Sequence, residues 1–164
     1  MWERPYAKSV EVIRKPAAQG ILNGLSYTPK KSYETICRLA AFLSGSVTRS
    51  DCFFTGRADN LSPTERIAKI CLSFRVNGSP MFAYYLPTDV QSEWALDANF
   101  SATICGITAE EMNCPILIDL YDGTVYDVGA DATRCGEFLT VGHLPLCDYP
   151  LILCNRDAVS VSEE

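Results

Sequence analysis

The chain has one histidine in 164 residues, no Cys-x-x-Cys pair among its eight cysteines, and no lysine beyond Lys69. Each gap removes a class of chemistry. Structural zinc sites draw on closely spaced Cys and His ligands, so neither a metal nor any other cofactor is expected. No run approaches the roughly 20 apolar residues of a membrane span. The opening stretch MWERPYAKSVEVIRKP lacks the apolar core of an export signal, which points to a cytoplasmic protein with no membrane partner. Sequons at Asn60, Asn77 and Asn99 therefore carry no weight. Cys71, Cys105 and Cys154 sit inside apolar runs and read as reduced, buried thiols rather than disulfides. The formal charge of −6 is the wrong sign for a nucleic-acid partner.

What is present suffices for one domain with a core of its own. The charge is unevenly spread. Residues 1–50 carry eight Lys/Arg against three Asp/Glu, a net of +5; residues 51–164 carry six against seventeen, a net of −11. That shift places a boundary near residue 48, with a helical segment at 1–48, a β-sandwich at 49–158 and a disordered tail at 159–164.

The most legible stretch is ILIDLYDGTVYDV at 116–128. Asp122-Gly123 is a two-residue turn signal, because a primed hairpin turn needs positive φ. Closing the turn there sets Tyr121 opposite Thr124 and Leu120 opposite Val125. Ile116, Ile118, Leu120 and Val125 then share one apolar face; Leu117, Asp119, Tyr121, Thr124 and Tyr126 share a more polar one. The expectation is a half-buried hairpin in a sheet packed on one side. The same run comes close to the Asp-x-Asp-Gly-Thr signature of haloacid-dehalogenase-type phosphatases. Its carboxylates are three apart, however, so a strand sends Asp119 and Asp122 to opposite faces. The downstream lysine of that family is also missing, and the phosphatase reading is rejected.

In chain order, Tyr6, Val10, Ile13 and Ala17 follow a helical period that Pro16 interrupts. Residues 26–43 form a helix, with Thr28 as N-cap, Pro29 at the first position, and Gly45 as the stop. Its stripe is Tyr33, Ile36, Cys37, Ala40, Ala41 and Leu43. Strands follow at 51–55, in a hairpin from Lys69 to Leu86 turning at Asn77-Gly78, at 101–107, in the 116–128 hairpin, at 137–141 and at 150–154. Pairing Val76 with Ser79 gathers Ile70, Leu72, Phe74, Met81, Ala83 and Tyr85 on one core-like face. About eight short antiparallel strands with a short α-helical N-terminal segment make a mainly β, sandwich fold.

Four segments together resemble a known arrangement. SYTPKKSYETICRLAAFL at 26–43 is similar to the last barrel helix of clan-A glycoside hydrolases. FAYYLPTDV at 82–90, IDLYDGTVYDV at 118–128 and HLPLCDYPLIL at 143–153 are similar to strands of the β-sandwich that follows such barrels in xylosidase-, iduronidase- or cellulase-like enzymes. The resemblance covers roughly residues 20–155. It implies the C-terminal β-sandwich part of a glycoside hydrolase, with a (β/α)8 barrel or a second copy of the chain as partner, and oligosaccharide as a further one. The helix stripe, which the resemblance would set against a barrel, here has to fold back onto the sandwich or stay exposed. Deleting residues 1–45 is expected to leave the sandwich folded and more soluble. The two catalytic glutamates of that clan lie on barrel strands, and none of Glu3, Glu11 or Glu34 matches their context. No catalytic residue is carried over, and the isolated chain is not expected to act as an enzyme.

Trp94, Tyr84, Tyr121 and Tyr126 are the candidates for stacking on sugar, which would make the chain a carbohydrate-binding module in its own right. Packing in the core or against a neighbouring domain is the favoured reading of the same residues. His143 and Cys147 are four apart, but Pro145 between them breaks any helix that would join them as base and thiol nucleophile. Asp119, Asp122 and Asp127 lack the dense oxygen spacing of a calcium loop and read as turn and surface residues.

Overall fold

The structure, a computed structural model, describes residues 7–9, 31–59, 61, 69–87 and 99–159. Within them lie eleven strands in two antiparallel sheets and one α-helix. In chain order they are β1 (Ala7–Ser9), α1 (Lys31–Phe42), β2 (Val47–Arg49), β3 (Phe53–Ala58), β4 (Ile70–Val76), β5 (Ser79–Tyr85), β6 (Phe100–Cys105), β7 (Pro115–Asp119), β8 (Thr124–Asp127), β9 (Ala132–Cys135), β10 (Phe138–Leu144) and β11 (Leu151–Asn155). One sheet runs β1-β8-β7-β11-β5-β4-β2, the other β3-β6-β10-β9. The expected sandwich is there, with β1, β2 and β9 added as short flanking strands. No described helix is long and apolar enough to cross a membrane.

The β4–β5 hairpin closes as its sequence dictates. Val76 pairs with Ser79, and Asn77 and Gly78 take φ of +51° and +86°. The β7–β8 hairpin does not close as expected. Ile118, not Leu120, faces Val125, so residues 120–123 form a longer loop. Asp119 is the reason: its carbonyl accepts the Gly123 N–H at 2.8 Å, and its Oδ1 accepts the Tyr121 N–H at 2.8 Å. Gly123 has φ +83°, and a Cβ there would stand 2.9 Å from Arg38 Nε. Arg38, on α1, donates from Nη1 to the carbonyls of Leu120 (3.2 Å) and Tyr121 (2.7 Å). The loop is thus clamped by the helix.

The clamp shifts the pairing by two residues, which leaves every side chain on its expected face; what differs is what covers each face. Ile116, Ile118, Leu120 and Val125 share a buried face, which packs under Leu39 and Phe42 of α1 and Leu43 just after it, together with Met81, Ala83 and Ile152. The face taken as polar enters the space between the sheets, where Leu117 and Tyr126 join Phe82, Tyr84, Phe100, Ile104, Leu139 and Leu153. The middle of the seven-stranded sheet, at β7 and β11, is therefore covered on both sides. In the β4–β5 hairpin the expected core face goes the same way: Phe74, Met81 and Ala83 lie on the helix side, and Leu72 is 51% exposed.

The helix buries a different stripe from the one expected. Leu39, Phe42 and Leu43 face the sheet, whereas Ala40 is exposed and Ile36 is 44% exposed. The boundary placed near residue 48 falls inside β2, which pairs with β4, and β1 pairs with β8. The described parts of segment 1–48, namely β1, α1 and β2, thus lie on or in the seven-stranded sheet, and Ala7–Ser9, where a helical period runs in the sequence, is a strand. Thr28, Pro29 and residues 160–164 of the expected tail lie outside the described residues, while Val159 packs against the helix-side core.

Candidate functional site

The sequence-nominated aromatics separate into three situations. Trp94 lies outside the described residues. Tyr84 and Tyr126 are buried between the sheets, which corrects their placement on a solvent-facing platform: neither ring can stack on a sugar. Tyr84 instead stacks on Phe100, with centroids 4.5 Å apart, and meets Phe54 edge-on. Phe100 in turn lies over Gly56, where a Cβ would come 2.0 Å from the ring. Tyr121 alone reaches the surface, at 41% exposure, and stacks on Tyr149 at 5.5 Å.

Tyr149 joins this surface pair to a buried polar cluster. Its hydroxyl donates to Asp119 Oδ2 at 3.0 Å. Asp119 is a buried carboxylate at the end of β7, held on its other oxygen by the Tyr121 N–H. Cys147 interacts with Tyr149 and Tyr84, and Cys71 with Tyr84, whose hydroxyl has no hydrogen-bond partner among the described residues. Burial pushes the Tyr84 and Tyr149 phenols well above their ordinary value, with the neighbouring Cys147 adding to the effect. Burial also raises the Cys71 thiol, against a smaller lowering by Lys69. The shifts of Tyr84, Tyr149 and Cys71 all favour the protonated form, so these three groups offer O–H and S–H donors beside the Asp119 carboxyl.

A second polar cluster ties the two sheets together. Arg75, on β4, donates from Nη1 to Glu111 Oε1 at 2.6 Å and from Nη2 toward Cys52 Sγ at 3.7 Å, with Asp51 Oδ1 3.8 Å away. Glu111 Oε2 accepts the Thr108 N–H while Thr108 Oγ1 accepts the Glu111 N–H, the reciprocal pattern of a capping box. The Thr108 N–H, followed by Arg75, holds the Glu111 carboxyl below its ordinary range. The pattern Thr-x-x-Glu was readable in the sequence; its Arg75 partner, 36 positions away, was not.

The remaining candidates are placed apart. Asp122 Oδ1 caps its own turn through the Thr124 N–H, and Asp127 Oδ1 accepts the Gly129 N–H. Among the described residues no group of three His, Cys, Asp or Glu side chains could hold a metal ion. His143 is exposed at φ +53°, in a bulge where the β10–β6 register shifts between Val141 and Leu144. None of the eight cysteines is in a disulfide. Comparisons of the chain with protein-family models, with curated proteins and with solved structures gave no match.

Proposed function

We propose that the chain is the non-catalytic β-sandwich part of a glycoside hydrolase, acting by packing on and stabilising a catalytic (β/α)8 barrel. The observation that carries this reading is convergence. The three strand segments similar to such sandwiches include β5, β7, β8 and β11, which are neighbours in one sheet, and the barrel-like helix segment includes α1, which covers that sheet. The outward side of α1, with Ile36 and Ala40 exposed, is the surface the barrel would cover. Eight cysteines outside any disulfide support a reducing, cytoplasmic setting.

The test is the coding sequence adjoining codon 1. A barrel carrying two strand-borne glutamates is the expected neighbour, and an unrelated domain there would sink the proposal. In parallel, the isolated chain should leave aryl glycosides intact. Turnover that disappears on mutating one acidic residue would make it an enzyme in its own right. The alternative, a free-standing carbohydrate-binding module, draws on the exposed Tyr121–Tyr149 pair.

A further inference from the structure

The outer face of the four-stranded sheet carries a pattern that core packing does not explain. Directly opposed residues in a sheet share a face. The pairings therefore set Phe53, Cys105, Phe138 and Cys135 in one row across β3, β6, β10 and β9. Two residues along each strand, Thr55, Thr103, Thr140 and Thr133 form a second row, so every strand contributes a threonine at the same level. The alternate residues Phe54, Ile104 and Leu139 point into the core, so both rows face outward. Phe53 and Phe138 are 61% and 50% exposed. None of the eight positions is charged. Arg57, the next outward residue of β3, is paired with Asp59 at 3.5 Å.

We infer that this strip binds a linear, uncharged, β-linked glycan lying across the strands. Neighbouring strands are about 4.8 Å apart, so the threonine hydroxyls recur at that interval and the two phenyl rings stand about 9.6 Å apart. A six-membered sugar ring with its linkage advances a β-linked chain on the scale of one strand spacing. Successive sugars thus meet successive hydroxyls, each able to donate and accept, and alternate sugars lay a C–H face on a ring. Charge selects the class: a neutral polymer loses nothing on a neutral strip, whereas a polyanion finds no cation within it. Size selects against a protein. Three strand gaps by one two-residue step give about 14 by 7 Å, far short of the ~800 Å² a side of a standard protein interface. The inference is independent of the glycosidase proposal and survives or fails on its own test.

The experiment is affinity electrophoresis of the full chain in gels containing a soluble β-glucan, xylan or mannan, with α-linked dextran and polygalacturonate as controls. Retardation is expected in at least one neutral β-glycan gel and in neither control. Phe53→Ala and Phe138→Ala should each weaken it about tenfold, and Thr103→Val, which keeps the side-chain shape, should weaken it measurably. Both rings are exposed, so circular dichroism melts should show these variants folded. Retardation by none of the three glycans overturns the inference. So does equal retardation by dextran or polygalacturonate, or binding unchanged in the Phe53→Ala/Phe138→Ala double variant. Sedimentation showing a wild-type dimer that the double variant dissociates would assign the strip to a second copy of the chain instead.

Discussion

The two sheets of this sandwich live in different environments, and their strands are written differently as a result. In the seven-stranded sheet, β7 and β11 are buried at every position, between α1 on one side and the inter-sheet core on the other. Their sequences, PILID and LILCN, are close to continuous apolar runs. In the four-stranded sheet, β3 and β6 alternate buried and outward residues, as expected of a sheet with one side open to solvent. Alternation thus marks the open sheet, and its loss marks the sheet that needs a second cover. In this chain the second cover is α1, and it comes from the segment that charge alone would set apart.

The largest test of that contrast removes the cover. Deleting residues 1–45 takes away β1 and α1 and leaves Ile116, Ile118, Val125, Met81 and Ile152 facing water. Each such side chain contributes roughly 1.5–3 kcal/mol when buried, so the truncated chain should lose cooperative urea unfolding and solubility. This reverses the expectation of an independent sandwich. The graded version is Phe42→Ala, which should cost about 3–5 kcal/mol by the same measurement. A truncated chain that still unfolds cooperatively would show that the seven-stranded sheet tolerates one bare side.

Much of the fold was legible because it depended on local signals. The Asn77-Gly78 turn and the β4–β5 hairpin follow from turn chemistry and alternation, and so does the sharing of one face by Ile116, Ile118, Leu120 and Val125. What escaped was anything set by a distant partner. Arg38 reaches 82 positions along the chain to hold the Leu120 carbonyl, and nothing near Asp122-Gly123 announces it. Apolar residues on both faces of the 116–128 hairpin were visible, but which face meets the other sheet depends on where the helix docks. β2 and β9 are short edge strands of mixed polarity, which leave little periodic trace. For the site, aromatic residue type was visible and burial was not. Tyr84 and Tyr126 went into the core, while Tyr149, unremarked beside Asp148 and Pro150, became the partner of Tyr121.

Adjacent residues on β3 sharpen the comparison within one strand. Phe54 is 8% exposed and packs 5.1 Å from the Phe82 ring, whereas Phe53 points outward. Phe54→Ala should cost ~3–5 kcal/mol, and Phe53→Ala should stay within about 0.5 kcal/mol. Equal costs in urea titrations would mean the outer face of this sheet is covered after all.

Thiol chemistry reads the same contrast without mutation. Exposed Cys114 and Cys135 should react with a disulfide reagent in the native state, and Cys154, buried in the closed sheet, should not. Burial raises Cys154 from 9.0 to about 12. A raised folded value means its contribution to stability is intact below pH 9 and is lost as pH climbs toward 12. Cys154→Ala should therefore flatten the alkaline end of the stability profile. Rapid labelling of Cys154 at neutral pH would show that the sheet opens under native conditions.

The smallest effect is expected at the seam where the two sheets meet. Arg75 belongs to the closed sheet, while Thr108 and Glu111 follow β6 of the open one, so their contacts report on the joint rather than on either core. The Glu111 carboxyl is held below its ordinary 4.5, first by the Thr108 N–H and then by Arg75. A depressed folded value makes its contribution complete above pH 4.5 and lost as pH falls through the lower, folded value. The pair is partly solvent-screened, so Glu111→Gln should cost about 1 kcal/mol at pH 7. The gap between variant and wild type should close as urea titrations are carried down below pH 4.5. Arg75→Met should produce a similar loss, and the double variant less than the sum of the two, because both remove one interaction. A gap that stays constant with pH would mean the glutamate acts through its shape alone. The two sheets would then be joined by packing, and the salt bridge would be incidental to the joint.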